Sequence, residues 1–135
     1  MVRWILELQR QQEILEECLP IQIKGNCLKP LLTYLKLISR KWMLLILMLF
    51  PSDSTPLRYS ELQNRINQIS SEKISDTTLS QRLSGLTSHS IVIRKQYNEI
   101  PLRVEYQLSE KGIALQESLQ PLLKWAIQTC HNGLR

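Results

Sequence analysis

The sequence has few of the residues on which several classes of function depend. Its 135 residues include two histidines, His89 and His131, four glycines, and three cysteines without CxxC spacing. The glycines form no phosphate-binding loop, and no GxSxG, HExxH or paired-carboxylate motif occurs. We therefore expect neither an enzyme nor a zinc site, and no cofactor.

Long hydrophobic runs are absent as well. The apolar run from Trp42 to Phe50 is too short to span a bilayer, and Lys36, Arg40 and Lys41 precede it. No signal peptide precedes the odd number of cysteines, so a secreted disulfide framework is not expected. The sequence thus predicts a cytoplasmic protein.

The amino-acid composition of the chain is typical of one compact globular domain. Hydrophobic residues make up 43% of the chain and charged residues 21%, which is typical of a folded protein. A net charge of +5 and a pI near 9.3 suit an anionic partner such as nucleic acid. Residues 1–26 hold three cations against four carboxylates, whereas residues 73–95 hold four against one. Residues 73–95 therefore form a locally basic segment, whereas the N-terminal end of the chain is not basic.

Hydrophobic periodicity predicts four helices before residue 90. The first is a thin amphipathic helix from about Arg3 to Cys18, and the second runs from about Pro30 to Phe50. A short helix from Ser60 to Ile69 follows, with Gln63 completing a capping box, and Ser75 caps the next. Two short capped helices joined by a brief turn predict a helix-turn-helix.

The pattern after Ser90 is that of strands. Residues 91–97 and 102–108 are β-rich, the second run alternates apolar and polar residues, and 98–101 form the turn between them. This hairpin is the size of a wing. Ser109 is then predicted to cap a C-terminal helix that Pro121 kinks or splits.

Four short sequence motifs give more specific information about the family to which this predicted fold is similar. KWMLLIL at residues 41–47 is similar to the KWTLLIL core of HxlR-type regulators, and RYSEL at 58–62 to their RFSEL. ISDTTLSQRL at 74–83 is similar to ISPKTLTQRL, and LRVEYQLSEKG at 102–112 to PRVEYSLTEKG. The chain therefore resembles the HxlR-type branch of the MarR-like winged helix-turn-helix transcriptional regulators.

The resemblance implies a mainly α fold with a small β-hairpin (α+β) and a sequence-specific regulator that binds double-stranded DNA as a homodimer. It divides the chain into an N-terminal helical extension (1–26), the winged helix-turn-helix (27–112) and a C-terminal dimerisation helix (113–135). The helix near 75–88 would enter the major groove, with the hairpin at 91–108 as the wing.

The sequence departs from the family at several positions. Ser39 and Arg40 stand where the family usually has two glycines, and Ser90 replaces a glycine that ends a helix, so the local turns are expected to differ. Lys29 stands where a redox-sensing cysteine often precedes the proline, while Cys27 lies two residues earlier. A thiol switch at Cys27 is therefore an open alternative.

The DNA-contact candidates combine polarity with the resemblance. If Leu79, Leu83 and Leu86 face inward, the opposite side of their helix is polar, and Gln81 is the first candidate for pairing with a base, since Gln can bond adenine bidentately. Arg82 points nearer the core, so it is expected to pair either with a carboxylate inside the subunit or with a phosphate. The full set is Arg58, Ser60, Thr77, Thr78, Ser80, Gln81, Arg82, Ser84, Arg94, Lys95 and Arg103.

Dimerisation is assigned to an apolar stripe near the C-terminus, with the N-terminal helix alongside. Its members are Leu115, Leu119, Leu122, Trp125 and Ala126. The same residues could instead complete the core of one chain. Two further alternatives stay open: a winged helix that binds a protein partner, and a regulator with a small-molecule or redox effector.

Overall fold

The computed structural model describes Arg3, Ile5, Leu6, Gln9 and Arg10 and then residues 25–131. Those five N-terminal residues are helical, and the rest of the helix expected from Arg3 to Cys18 lies outside the described residues. The chain divides into two compact units, residues 1–40 and 41–135. The domain boundaries expected at 26 and 112 stay predictions.

In the first unit, helix α1 (Gly25–Ile38) begins before Pro30 and contains it. Pro30 is the sixth residue of this helix and lies beyond its first turn, so it lacks the N–H that would bond the carbonyl of residue 26. Four leucines at helical spacing are exposed on this helix: Leu28, Leu31, Leu32 and Leu35. Helix α1 therefore leaves an apolar stripe uncovered.

The single helix expected from Pro30 to Phe50 is wrong. Helix α1 ends at Ile38, and a second helix, α2 (Met43–Leu49), begins after a turn in which Trp42 has φ 77° and ψ −22°. This left-handed conformation cannot propagate a right-handed helix. The Arg82 Nε donates to the Lys41 carbonyl at 2.9 Å, so the turn gains a hydrogen bond that local periodicity could not reveal.

Two more helices complete the predicted helix-turn-helix, α3 (Tyr59–Ile69) and α4 (Asp76–Ser88). Helix α3 starts one residue earlier than expected, because the Glu61 carboxylate accepts the Arg58 N–H at 3.2 Å in place of the Ser60 and Gln63 box. Helix α4 starts as predicted, with the Thr78 N–H donating to the Ser75 hydroxyl at 3.2 Å. Their inner faces pack in a core with α2 and the sheet, whose fully buried members include Ile46, Leu47, Leu62, Ile66, Leu79, Leu83, Leu86 and Leu108.

The predicted hairpin is present and belongs to a three-stranded antiparallel sheet. Its strands are β1 (Leu57–Arg58), β2 (Val92–Tyr97) and β3 (Arg103–Leu108), in the order β1-β3-β2. Val92 pairs with Leu108 near the core, and Tyr97 pairs with Arg103 at the tip. Strand β1 is two residues long, too short to show an alternating pattern. A mainly helical fold with a small winged sheet is therefore confirmed.

The last helix, α5 (Glu110–His131), continues unsplit through Pro121. Ser109 caps it as predicted, since the Gly112 N–H donates to its hydroxyl at 3.0 Å. A Cβ on Gly112 would lie 2.1 Å from the Ile91 carbonyl oxygen, so only glycine lets α5 approach the start of the wing this closely. No helix in the described part of the chain has both the length and the apolar character that a membrane crossing needs.

Candidate nucleic-acid interface

Helix α4 separates an apolar side from a polar one. Leu79, Leu83 and Leu86 are buried, as predicted. The exposed side carries four short polar residues: Thr77, Ser80, Gln81 and Ser84. Thr78 is half-buried, and its hydroxyl accepts from Ser75 at 2.9 Å, so it serves the cap of the helix. The structure therefore presents a polar ridge, defined here as Thr77, Ser80, Gln81 and Ser84.

The start of helix α4 is held against α3 by side-chain contacts that the sequence did not predict. The Tyr59 hydroxyl lies 3.1 Å from the Asp76 Oδ1 and 3.2 Å from its carbonyl oxygen. Gln63 donates to the same carboxylate oxygen at 2.7 Å. Burial is the main cause that raises the pKa of Tyr59 above its usual 10.0, so the phenol stays able to donate at neutral pH. This cluster fixes the angle at which α4 leaves the turn.

Arg82 has an intrachain partner, and it is a backbone carbonyl rather than a carboxylate. The side chain is half-buried, and its Nε donates to the carbonyl oxygen of Lys41 at 2.9 Å. The Lys41 amine in turn pairs with Glu72 in the turn between α3 and α4. Arg82 thus links the middle of α4 to the turn before α2.

The three predicted wing cations are in different surroundings. Arg94 is exposed and donates to the Gln96 side chain at 3.2 Å. Lys95 is exposed and lies opposite Glu105 in the register of the hairpin.

Arg103 is the most constrained of the three. It is half-buried, lies 3.3 Å from the Glu99 carboxylate and 3.6 Å from that of Glu105, and stacks 4.1 Å from the centre of the Tyr97 ring. Its charge is therefore already balanced by two carboxylates, whereas Arg94 forms no salt bridge with any residue that the structure describes.

One cleft of about 550 Å³ joins the wing to the helix-turn-helix. It brings together Arg58, Ser60 and Ser80 with Arg103, four of the predicted contact residues. Arg58 and Ser60 stand exposed at the start of α3, where the free N–H groups of the helix favour an anion. Residues 99–104 of the wing tip form the opposite wall. Gln81, Ser84, Arg94 and Lys95 lie outside this cleft.

The predicted dimerisation stripe divides into an inner and an outer part. Leu119 is buried, and Leu115 and Ala126 are half-buried. Leu122 is 54% exposed and Trp125 62% exposed, with Leu123 and Ile127 exposed beside them. The first half of α5 therefore completes the core of its own unit, while the second half leaves apolar surface uncovered.

The predicted redox residue is not accessible to a structural test. The side chain of Cys27 lies outside the described residues, as does Cys18. Cys130 is an exposed free thiol near the end of α5. The thiol hypothesis therefore stays a prediction.

A comparison of this chain with known proteins gives a family match and close relatives. The model of the HxlR-like helix-turn-helix family matches residues 37–133. An uncharacterized HTH-type transcriptional regulator of Halalkalibacterium halodurans is 35% identical over 98 residues, which cover 73% of this chain and 81% of that protein. The HTH-type transcriptional regulator YodB of Bacillus subtilis is 34% identical over 110 residues, 81% of this chain and 92% of YodB.

Solved structures agree with these matches. The reduced form of YodB superimposes with a TM-score of 0.65 at 33% identity, covering 78% of this chain and 96% of that one, and diamide-treated YodB superimposes with a TM-score of 0.60. A structure from Porphyromonas gingivalis W83 that is ascribed to the MarR family superimposes with a TM-score of 0.59 at 26% identity, covering 84% of this chain and 98% of that one.

Proposed function

Since the chain belongs to the HxlR-like helix-turn-helix family, we propose that it reads double-stranded DNA with helix α4 in the major groove and the β2–β3 hairpin as a wing against the flanking strand. The chain is a DNA-binding transcriptional regulator of the MarR-like, winged-helix type, as the sequence predicted. The relatives it matches are regulators and not enzymes. DNA binding takes place where the chromosome is, which favours the cytoplasm.

The observation that carries this proposal is that α4 is amphipathic, with a buried leucine face and an exposed polar face. Its leucines hold the helix in the core, so the polar ridge points outward on a rigid support. The major groove is about 12 Å wide and admits one helix. An exposed glutamine can bond both the N6 and the N7 of adenine, and Gln81 lies at the centre of the ridge. The polar character of the ridge also argues against the alternative of a protein-binding winged helix, which would expose apolar side chains there.

Phosphate contacts would set the register of the helix in the groove. Arg58 and Ser60 are suited to this because they lie exposed at the N-terminal end of α3, beside the ridge residue Ser80. Arg94 is suited because, in the part of the chain that the structure describes, its side chain bonds the neutral Gln96 and no carboxylate. Arg82 is assigned to the support of α4 instead, since its Nε already bonds the Lys41 carbonyl.

A homodimer completes the proposal. One short helix reads few base pairs, so two half-sites are needed for useful specificity in a genome. The exposed residues of the second half of α5, above all Leu122 and Trp125, supply apolar surface for a two-fold interface. The exposed leucines of α1 offer a second such surface. Two recognition helices in successive major grooves would lie about 34 to 36 Å apart.

Selection of bound duplexes from a random DNA pool tests this function directly. We expect a pseudo-palindromic site and, for Gln81→Ala, a loss of discrimination at one base pair per half-site worth about 1–3 kcal/mol. Gln68→Ala is the matched control, because Gln68 is an exposed glutamine on α3. Failure of the wild-type protein to enrich any duplex would refute DNA reading. If Gln81→Ala discriminated between base pairs as well as the wild type does, only the assignment of Gln81 as a base-contacting residue would be refuted.

A thiol-based regulator is the second candidate, and the comparison with YodB favours it. YodB has been solved in a reduced and in a diamide-treated form. Cys27 is the residue nearest the expected position of a sensing thiol. Oxidation should then change DNA affinity in the wild-type protein and in Cys130→Ser but not in Cys27→Ser. If oxidant changes neither DNA affinity nor the number of free thiols, the candidate fails.

A further inference from the structure

We propose that the tip of the wing, Ile100 and Leu102, enters the minor groove beside the α4 site and makes an apolar contact with the duplex there. The inference rests on the proposed function and adds the chemistry of one contact. It assigns the base-edge contact of the wing to two hydrophobic side chains and not to an arginine.

The first observation is exposure. Ile100 is 104% exposed and Leu102 is 59% exposed, one on each side of Pro101 at the turn of the hairpin. Among the large hydrophobic residues of the described chain, Ile100 has the highest exposure. Single exposed apolar residues are common on protein surfaces, but an isoleucine, a proline and a leucine in succession at a protruding tip form a continuous apolar surface.

The second observation is charge. A cation at the wing tip would favour an electrostatic contact, but Arg103 lies 3.3 Å from the Glu99 carboxylate and 3.6 Å from that of Glu105. The Tyr97 ring covers its guanidinium at 4.1 Å. Arg103 therefore also offsets the charge of Glu99, and Ile100 and Leu102 are exposed apolar residues of the tip.

The third observation is position. The tip residues form one wall of the 550 Å³ cleft whose other wall includes Arg58, Ser60 and Ser80. Ser80 belongs to the polar ridge, so a duplex that receives α4 in its major groove passes its flanking backbone and minor groove along this cleft. Isoleucine, leucine and proline are among the side chains that proteins insert into minor grooves as wedges.

The double variant Ile100→Ser/Leu102→Ser tests the contact on the duplex selected by the wild-type protein. We expect binding about tenfold weaker, with the slope of log K against log salt unchanged, because apolar burial releases no counterions. The matched control is Ile93→Ser, an exposed isoleucine of the same hairpin that pairs with Gln107 away from the tip. The double variant should keep the thermal unfolding temperature of the wild type, since the side chains that it replaces face solvent.

A base substitution identifies the groove. Replacing A·T pairs under the wing by G·C adds an amino group to the floor of the minor groove, whereas I·C leaves that floor like A·T and presents the major groove like G·C. We expect the G·C substitution to weaken DNA binding by the wild-type protein at least about fivefold and the I·C substitution to have little effect. The double variant should bind the A·T, G·C and I·C duplexes with similar affinity.

Two results would overturn the inference while leaving the proposed function intact: a double variant that binds as tightly as the wild type, or equal effects of G·C and I·C. A change of oligomeric state in the double variant would also overturn it, because the tip would then bind a second copy of the chain. A wild-type protein that selects no duplex would instead refute the proposed function.

Discussion

Replacing Arg94 by alanine should weaken binding to every duplex and flatten its salt dependence by about one unit of slope for each protomer bound. Each neutralised phosphate of B-form DNA contributes about 0.9 to the slope of log K against log salt. Between about 50 and 200 mM salt the wild-type affinity should therefore fall about 3.5-fold more than that of Arg94→Ala for each protomer bound, or about 12-fold more for a homodimer. The expectation follows from the structure because Arg94 is exposed and, among the described residues, its side-chain bond is to the neutral Gln96 side chain.

Arg103→Ala is the informative comparison. Because Glu99 and Glu105 already balance this arginine, its loss should leave the slope nearly unchanged. It should instead lower the unfolding temperature, since the two carboxylates then lose the cation that pairs with both of them. Sequence alone gave both arginines the same role.

Anisotropy titrations of a labelled operator at five or six salt concentrations separate these outcomes. Gln96→Ala is the control for Arg94, because it removes the hydrogen-bond partner without removing a charge. Equal slopes for Arg94→Ala and the wild type would contradict a phosphate contact at Arg94. A slope change of one unit in Arg103→Ala would show that the carboxylates do not hold that arginine in solution.

Three further predictions concern stability, each measured by urea unfolding. Ser90 has φ 59° after the end of α4, so Ser90→Gly should stabilise the protein by about 1 kcal/mol, and an unchanged or lower midpoint would contradict the strain argument. Gly112→Ala places a methyl group 2.1 Å from the Ile91 carbonyl oxygen and should cost at least about 2 kcal/mol; wild-type stability would show that α5 can move away freely. Gln116→Leu removes the buried donor to two carbonyls at the end of α2, at 3.0 and 2.8 Å, and should cost about 1–3 kcal/mol, so a neutral result would mean that another donor replaces it.

The parts of the fold that the sequence predicted depend on local chemistry. Ser75 and Ser109 cap helices through bonds to N–H groups three residues ahead, which short sequence patterns encode directly. The hairpin is signalled by alternation, and the inner face of α4 by the spacing of its leucines. The match of residues 37–133 to the HxlR-like family confirms the resemblance that four short motifs had indicated.

The parts that sequence reasoning missed depend on residues far apart in the chain. The Tyr59 bond to Asp76 joins positions 17 residues apart, and the Arg82 bond to Lys41 joins positions 41 apart. No local period reports such pairs. The break between α1 and α2 was missed for a related reason, because an apolar run around Trp42 has helical composition whether or not one residue adopts a left-handed conformation.

These distant contacts explain how the helix that reads DNA can be rigid while its outer face is free to vary. Helix α4 is held at its start by Tyr59, in its middle by Arg82, and at its end by the Ile91 N–H, which donates to the Leu86 carbonyl at 3.0 Å. Within the described part of the chain, the side chains of Thr77, Gln81 and Ser84 take no part in these contacts. Substitutions at Thr77, Gln81 and Ser84 should therefore change which duplex is bound at almost no cost in stability, whereas substitutions at the three supports should weaken binding to all duplexes together.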